Sequence, residues 1–290
     1  MSKLVIGGAS HQATKPADFI KFMDVAYLSG IREIDTAPIY GENEWLIGQY
    51  SKQNGDFLVN TKIGLTPGFK LSRGKIFESV MRSLELTNQS QFNNLFIHSL
   101  PELEITSEVV ENLLELKSSG YIRNIGYSGD GQNLSRVVDR NVFDSIMATH
   151  SILDQSNLPS LKRTANHTVI YAKRALANGV FDKKLQEKTI QFLRNIKYKN
   201  LGSKTSYNFR YRKFFTTSQR FNGSLTADYF LNYVLRTESI DKVVVGVSQT
   251  NHLLDLIKFE RNSSILNFDY REIESRFREL ELSFKWESIT

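Results

Sequence analysis

The chain has 290 residues, with 37 Lys and Arg against 31 Asp and Glu, a formal net charge of +6. That excess is modest for the size and favours small anionic ligands such as phosphates over nucleic acid. Cysteine is absent, which excludes disulfides, Cys-ligated zinc and thiol nucleophiles.

In chain order, short β-branched or apolar runs alternate with stretches of helical period. The predicted strands are Leu4–Gly8, Arg32–Ala37, Phe57–Ile63, Asn93–Ser99, Ile122–Ser128, Ser145–Ser151, Thr168–Lys173 and Lys242–Ser248. Amphipathic helices are expected between them. Ile76–Leu86, for example, sets Phe77, Val80, Met81 and Leu84 on one face, and a second such segment covers Val109–Ser119. Strand alternating with helix implies βαβ units and a parallel sheet. No Gly-x-Gly-x-x-Gly follows the first strand, so a closed (β/α)8 TIM barrel is expected in place of a doubly wound sheet. Residues 1–290 are read as one domain with an enlarged loop after the seventh strand. That loop spans roughly seventy residues, with helices expected near Phe181–Tyr198 and Thr226–Arg236. The opening stretch Met1–Gln12 reads as neither leader nor anchor, and no apolar run approaches the ~20 residues of a membrane helix. A cytoplasmic protein is expected.

In such barrels the active site lies at the carboxyl ends of the strands. Polar residues at those ends form a set: Asp35 closes the second strand, Tyr40 follows it, Lys62 lies near the end of the third and His98 ends the fourth. Reducing a carbonyl requires a hydride on carbon and a proton on oxygen, and a nicotinamide cofactor supplies only the hydride. A phenol with a reference pKa of about 10 is a weak acid–base group near neutrality, and a nearby ammonium lowers that value. Lys62 would supply the charge, Asp35 would orient Lys62, and His98 would hydrogen-bond the substrate oxygen. Singly, each residue has a plainer explanation as a strand-end carboxylate, a loop aromatic, a solvated charge or a packed histidine. Together, in this order, they point to catalysis.

The run Gly-Ile-Arg-Glu-Ile-Asp-Thr-Ala-Pro-Ile-Tyr-Gly-Glu-Asn-Glu-Trp-Leu-Ile-Gly over residues 30–48 resembles the best-known signature of the aldo-keto reductase superfamily. Asn60–Gly64 and Phe96–His98 are similar to its lysine and histidine motifs. Ile122–Ser128, Ile152–Asp154, Ala172–Gly179 and Val245–Ser248 extend the likeness through nearly the whole chain. The resemblance implies a bacterial-type NAD(P)H-dependent oxidoreductase with Tyr40, Lys62, Asp35 and His98 as the catalytic set. It implies cofactor contacts from Ser128, Gly129, Met147, Lys173, Arg174, Leu176, Ser248, His252 and Asp255. Several of these depart from the family. Gly129 stands where asparagine is common, Met147 where glutamine is, Lys173 where a tyrosine often stacks on nicotinamide, and His252 where arginine usually meets the 2′-phosphate. NADP(H) is expected ahead of NAD(H).

The segment Lys199–Gly223 holds six basic residues and no acidic ones, interleaved with aromatics. It reads either as a solvated flap or as a lid whose Lys204, Arg210, Arg212 or Lys213 meets an anionic group, such as the cofactor pyrophosphate or a phosphorylated or nucleotide-linked sugar. Single-stranded nucleic acid ranks last. His11 and His150 are candidates for the pocket mouth, and His167 for a structural role. Trp286, after an amphipathic tail over Asp269–Leu282, is a candidate for the substrate wall. No metal site and no membrane association are expected, and the resemblance implies a monomer or weak dimer. The alternative activity is a cofactor-binding regulatory or interaction barrel with little turnover, and a sugar dehydrogenase running in the oxidative direction would use the same residues.

Overall fold

The computed structural model describes residues 2–54, 57–65, 69–179 and 226–262, together with residue 275. Eight parallel strands close into a barrel in the order β1 to β8: β1 (Leu4–Gly7), β2 (Glu33–Asp35), β3 (Leu58–Ile63), β4 (Phe92–His98), β5 (Ile122–Ser128), β6 (Ser145–Thr149), β7 (Val169–Lys173) and β8 (Lys242–Val245). β1 pairs with β8 through Val5 and Val244, which removes every sheet edge. Eight helices are described: α1 (Pro16–Leu28), α2 (Asn43–Ser51), α3 (Arg73–Thr87), α4 (Ser107–Ser118), α5 (Gly131–Arg140), α6 (Leu158–Leu161), α7 (Ala227–Leu235) and α8 (Thr250–Arg261). The expected helix near Phe181–Tyr198, the Lys199–Gly223 segment, the Asp269–Leu282 tail and Trp286 lie outside the described residues. No helix among the described residues is long and apolar enough to cross a membrane.

β2, β6 and β8 end two or three residues earlier than the sequence pattern suggests, while β3, β5 and β7 end where expected. Ala37, Ser151 and Ser248 fall beyond the ladder, because each strand's carboxyl end gives way to a loop at the mouth. Side chains alternate across each strand, and the two faces are distinct. Outward residues such as Ile34, Val59, Leu95, Ile97, Ile146 and Val243 join one large apolar cluster beneath the helices. Inward residues Val5, Phe96, Met147 and Tyr171 form a second, small cluster inside the barrel, with Val244 packed against it. Nearer the amino ends of the strands the barrel interior is polar. The Glu33 carboxylate accepts from the Tyr171 hydroxyl at 3.0 Å and pairs with Lys242 at 2.6 Å. Asn94 donates to Asn60 at 2.7 Å and accepts from Ser145 at 2.7 Å, so the buried amides are paired with one another.

α3 has the expected apolar period, but its buried face is Ile76, Val80 and Leu84 with Ser83 and Thr87, while Met81 is 42% exposed. The face is turned because α3 lies against α2 at Gly48, where an added Cβ would stand 2.1 Å from the Leu86 carbonyl oxygen. α3 and α5 each end on an asparagine in the left-handed region, Asn88 and Asn141, which opens a turn back to the next strand.

Candidate active site

Alternation along the strands brings Asp35, Lys62, Ser128 and Lys173 to the carboxyl end of the barrel, with His98 and Thr149 next in line on β4 and β6. Lys62 is 2% exposed and Asp35 4%. The Lys62 ammonium donates to both Asp35 oxygens at 2.6 Å and to the Thr36 carbonyl at 2.7 Å, so all three of its protons have acceptors. Burial works against both charges and pushes the Asp35 carboxyl up, while contact with that carboxylate holds the Lys62 ammonium above its ordinary range. Tyr40 lies over this pair, its ring centroid 5.0 Å from Lys62 Nζ. His98 meets the Tyr40 ring edge-on, with centroids 6.3 Å apart. The structure therefore brings the four expected side chains together.

Their electrostatics differ from the expectation at one point. Burial pushes the Tyr40 phenol above its ordinary value; Lys62 pulls it down and Asp35 pushes it up, so the ammonium tempers the rise without reversing it. Tyr40 is thus a protonated phenol at neutral pH, fit to donate. Burial and the charges of Lys62 and Lys173 take His98 down to about 3, so its ring is a neutral imidazole.

Behind Lys62, on the outer face of β3, the Thr61 hydroxyl donates to the buried Glu44 of α2 at 3.0 Å. This ties the Tyr40 loop and its helix to the lysine strand. Glu44 was present in the signature run but carried no role there, because only the fold shows that α2 lies against β3.

The second half of the mouth is built on β5 to β7. Ser128 is buried, and its hydroxyl has no partner among the described residues. Gly129 donates its N–H to the Met147 carbonyl at 3.1 Å. An added Cβ on Gly129 would lie 2.5 Å from the Tyr127 ring, and the Tyr127 hydroxyl is fixed on the Leu100 carbonyl at 2.9 Å. The glycine is therefore required by its neighbour. Gly129→Ala is expected to cost about 1–3 kcal/mol in a urea melt; an unchanged midpoint would mean that Tyr127 swings aside freely. Met147 is 1% exposed and packs among Phe96, Tyr171 and Val5, so it fills the barrel where a polar residue is usual in the family.

Lys173 pairs at 3.1 Å with Asp130, a residue the sequence reading did not single out. Asp130 also accepts from the Thr149 amide at 2.7 Å, the Thr149 hydroxyl at 3.1 Å and Asn157 at 2.8 Å. Burial alone would raise its carboxyl, but the Lys173 ammonium and the Thr149 amide bring it below the usual carboxylate range. The available signal was a lysine in place of an aromatic, which calls for a counter-ion once buried. Arg174 follows with φ 58°, a left-handed backbone that non-glycine residues seldom adopt, and its charge reaches Tyr40 and Asp130. Leu176 is partly buried against the outer core.

Ser248, His252 and Asp255 are exposed on the loop after β8 and on α8. Ser248 lines a cavity of about 460 Å3 with Lys15, Asp18, Lys21, Gln249 and Thr250, among others, and His252 and Asp255 are not in that lining. Two of the histidines lie elsewhere than expected. His11 is buried against Phe19 and Phe22 of α1, and burial lowers it to about 4. His150 stacks on Tyr233 of α7 at 5.6 Å and meets the Thr237 hydroxyl at 3.1 Å, so it faces the helix layer. His167 is exposed just before β7.

The sequence matches the profile of the aldo/keto reductase family over residues 3–275. Among curated relatives, it is 32% identical over 144 residues to the D-arabinose 1-dehydrogenase of Saccharomyces cerevisiae, covering 44% of this chain and 43% of that protein. It is 28% identical over 202 residues to the aldo-keto reductase YhdN of Bacillus subtilis, covering 63% of this chain and 59% of that one. These alignments thus span about half the length of each relative. The fold resembles that of the aldo-keto reductase AKR11C1 from Bacillus halodurans in its holo form, with a TM-score of 0.74 at 22% identity over 96% of this chain and 92% of that one. With the profile matched over nearly its whole length, the chain belongs to the aldo/keto reductase family, whose members are carbonyl/alcohol oxidoreductases that generally use NAD(P)H.

Proposed function

We propose that this chain interconverts a small aldehyde, ketone or sugar carbonyl with its alcohol, using NADP(H) ahead of NAD(H), with Tyr40 as the proton donor and acceptor. The observation that carries this reading is the buried Lys62–Asp35 pair beneath Tyr40 with neutral His98 at its edge. The unpartnered Ser128 hydroxyl at the end of β5 fits a bound nicotinamide amide, which would give that buried group the hydrogen bond it lacks. When bound, the cofactor supplies the hydride to the carbonyl carbon. Tyr40 gives its proton to the carbonyl oxygen as negative charge develops there. Lys62, fixed by Asp35 and Thr36, holds positive charge beside that phenol and stabilises it as the proton leaves. His98 donates a hydrogen bond to the same oxygen and sets its direction.

Ser128, Gly129, Met147, Lys173, Arg174 and Leu176 would line the nicotinamide and pyrophosphate side, and Ser248, His252 and Asp255 the adenosine side. Lys15 and Lys21 line the 460 Å3 cavity together with Ser248 and would supply the charge for a 2′-phosphate that the family usually draws from arginine. The substrate class is drawn from the family. A sugar is suggested by the name of the D-arabinose 1-dehydrogenase relative, and a phosphorylated one is compatible with Arg174 beside the mouth.

Fluorescence titration with NADPH and NADH tests this. NADPH should bind roughly tenfold more tightly, and removing Lys15 and Lys21 together should narrow that gap. Equal affinity would make NAD(H) an equal partner. Binding of neither would overturn the enzyme reading and leave a partner-binding barrel in its place.

A further inference from the structure

Tyr40 and Lys62 belong to parts of the chain that the strand ladder does not join. Lys62 sits within β3, in register with Phe96 of β4, and Asp35 and Thr36 hold its ammonium. Tyr40 lies in the loop after β2. The Thr36 N–H donates to the Asn60 carbonyl of β3 at 2.8 Å, and beyond it the chain leaves the sheet. From there the loop hangs on α2, whose first residue, Asn43, donates its N–H to the Tyr40 carbonyl at 3.1 Å. The phenol therefore goes where the first turn of α2 goes. That helix is unevenly held. Its second half packs closely on α3 at Gly48, but toward its start a cleft of about 870 Å3 opens, lined by Gly41, Glu42 and Trp45 and by Lys75, Glu78 and Arg82 of α3. Trp45 is 40% exposed. The buried residues of the first turn are Asn43, Glu44 and Leu46, and the Asn43 amide has no partner among the described residues.

Glu44 supplies the directional contact. Its carboxyl accepts from the Thr61 hydroxyl at 3.0 Å, and Thr61 is the chain neighbour of Lys62. Thr61 is buried on the outer face of β3 between Val59 and Ile63, both members of the large apolar cluster. A carboxyl in such surroundings is unfavourable. Burial pushes it above its ordinary value, and the Ser83 and Thr61 hydroxyls draw it back. Two apolar side chains would fill the same space without that penalty. Apolar contact is non-directional, however, whereas a hydrogen bond fixes both distance and angle.

We propose that Glu44 is a positioning residue for proton transfer: through Thr61 it sets α2 in register on β3 and so holds the Tyr40 phenol over the Lys62 ammonium. The inference rests on the reading of Tyr40 as the proton donor. Glu44 touches neither substrate nor cofactor. Its effect is on geometry, and a misplacement of about 1 Å between reacting groups lowers the rate on the order of 10²-fold.

The test uses the full chain labelled with 3-fluorotyrosine, so that fluorine NMR reports on Tyr40 without turnover; its resonance is the one missing from Tyr40→Phe. Thr61→Val and Glu44→Ala should each move or split that resonance. Glu44→Gln keeps an acceptor for the Thr61 hydroxyl and should return it to the wild-type position. The decisive variant is Thr61→Val/Glu44→Leu, which removes both partners and strands neither, so it folds with a urea midpoint near that of the wild type even if a single variant does not. In it the Tyr40 resonance should still move, and kcat for reduction of 4-nitrobenzaldehyde by NADPH should fall about ten- to a hundredfold, with the NADPH dissociation constant unchanged. A wild-type resonance or a wild-type kcat in this double variant would make the pair structural and overturn the proposal. A resonance displaced as far in Glu44→Gln as in Glu44→Ala would overturn it too, by assigning the effect to charge. The underlying reading fails separately: if Tyr40→Phe kept full turnover, Tyr40 would not be the donor, whatever its resonance did in the other variants.

Discussion

Tyr40→Phe should lower kcat about 10²–10⁴-fold while leaving the NADPH dissociation constant within about twofold of the wild type. The phenol is the one acid in the cluster that is both protonated at neutral pH and placed beside His98, and phenylalanine keeps the ring against both neighbours. The pH dependence follows from the same electrostatics. Burial carries Tyr40 above its ordinary value, so the donor form persists through neutral pH. Reduction should hold level through neutral pH and fall only above the ordinary range of a tyrosine phenol. Oxidation of the alcohol needs the phenolate and should climb with pH over the same range. His98, at about 3, stays neutral throughout and contributes no acid limb above pH 4. Near-full activity in Tyr40→Phe, or a reductive limb centred near neutrality, would assign the proton to another group.

Lys62→Met should cost about 3–5 kcal/mol of stability and most of the activity, because it strands the Asp35 carboxylate in a site only 4% exposed. The loss is chiefly that of an uncompensated buried charge and not the worth of the ion pair. The double variant Lys62→Met/Asp35→Asn should therefore regain much of the urea midpoint, with no recovery of turnover. If the single variant melted like the wild type, Asp35 would have taken up a proton on losing its ammonium and so avoided the cost of a stranded charge. If the double variant regained turnover, the ammonium would have no part in moving the proton.

Much of this arrangement was legible in the sequence. Strands such as Ile122–Ser128 combine β-branched composition with clear flanking helices, and that strand's limits agree to the residue. Asp35, Lys62 and His98 could be placed because strand ends are where such barrels expose polar groups. The rest depends on distances the sequence does not carry. Asp130 joins Lys173 across one intervening strand, β6, and its importance appears only once both lie at the same mouth. The direction of the Tyr40 shift is a contest between burial and a neighbouring ammonium, and counting charged residues cannot weigh burial. His11 and His150 follow strands β1 and β6 and so looked available, yet apolar and aromatic partners on α1 and α7 draw both away from the mouth. Met81 shows the same limit on a helix, where period predicts a stripe and the neighbouring helix decides its orientation.

The polar floor of the barrel bears on how the protein can be made. Glu33 is synthesised early and meets its cation, Lys242, only when the last strand arrives, while Ser2 and Glu260, 258 residues apart, fasten the two ends of the same seam. A nascent chain still emerging from the ribosome therefore holds a carboxylate that no half-barrel can bury without penalty. Stable closure must wait until Lys242 and Glu260 have left the ribosome, and chains truncated before Lys242 should be chaperone clients or proteolytic substrates, not independently folded halves.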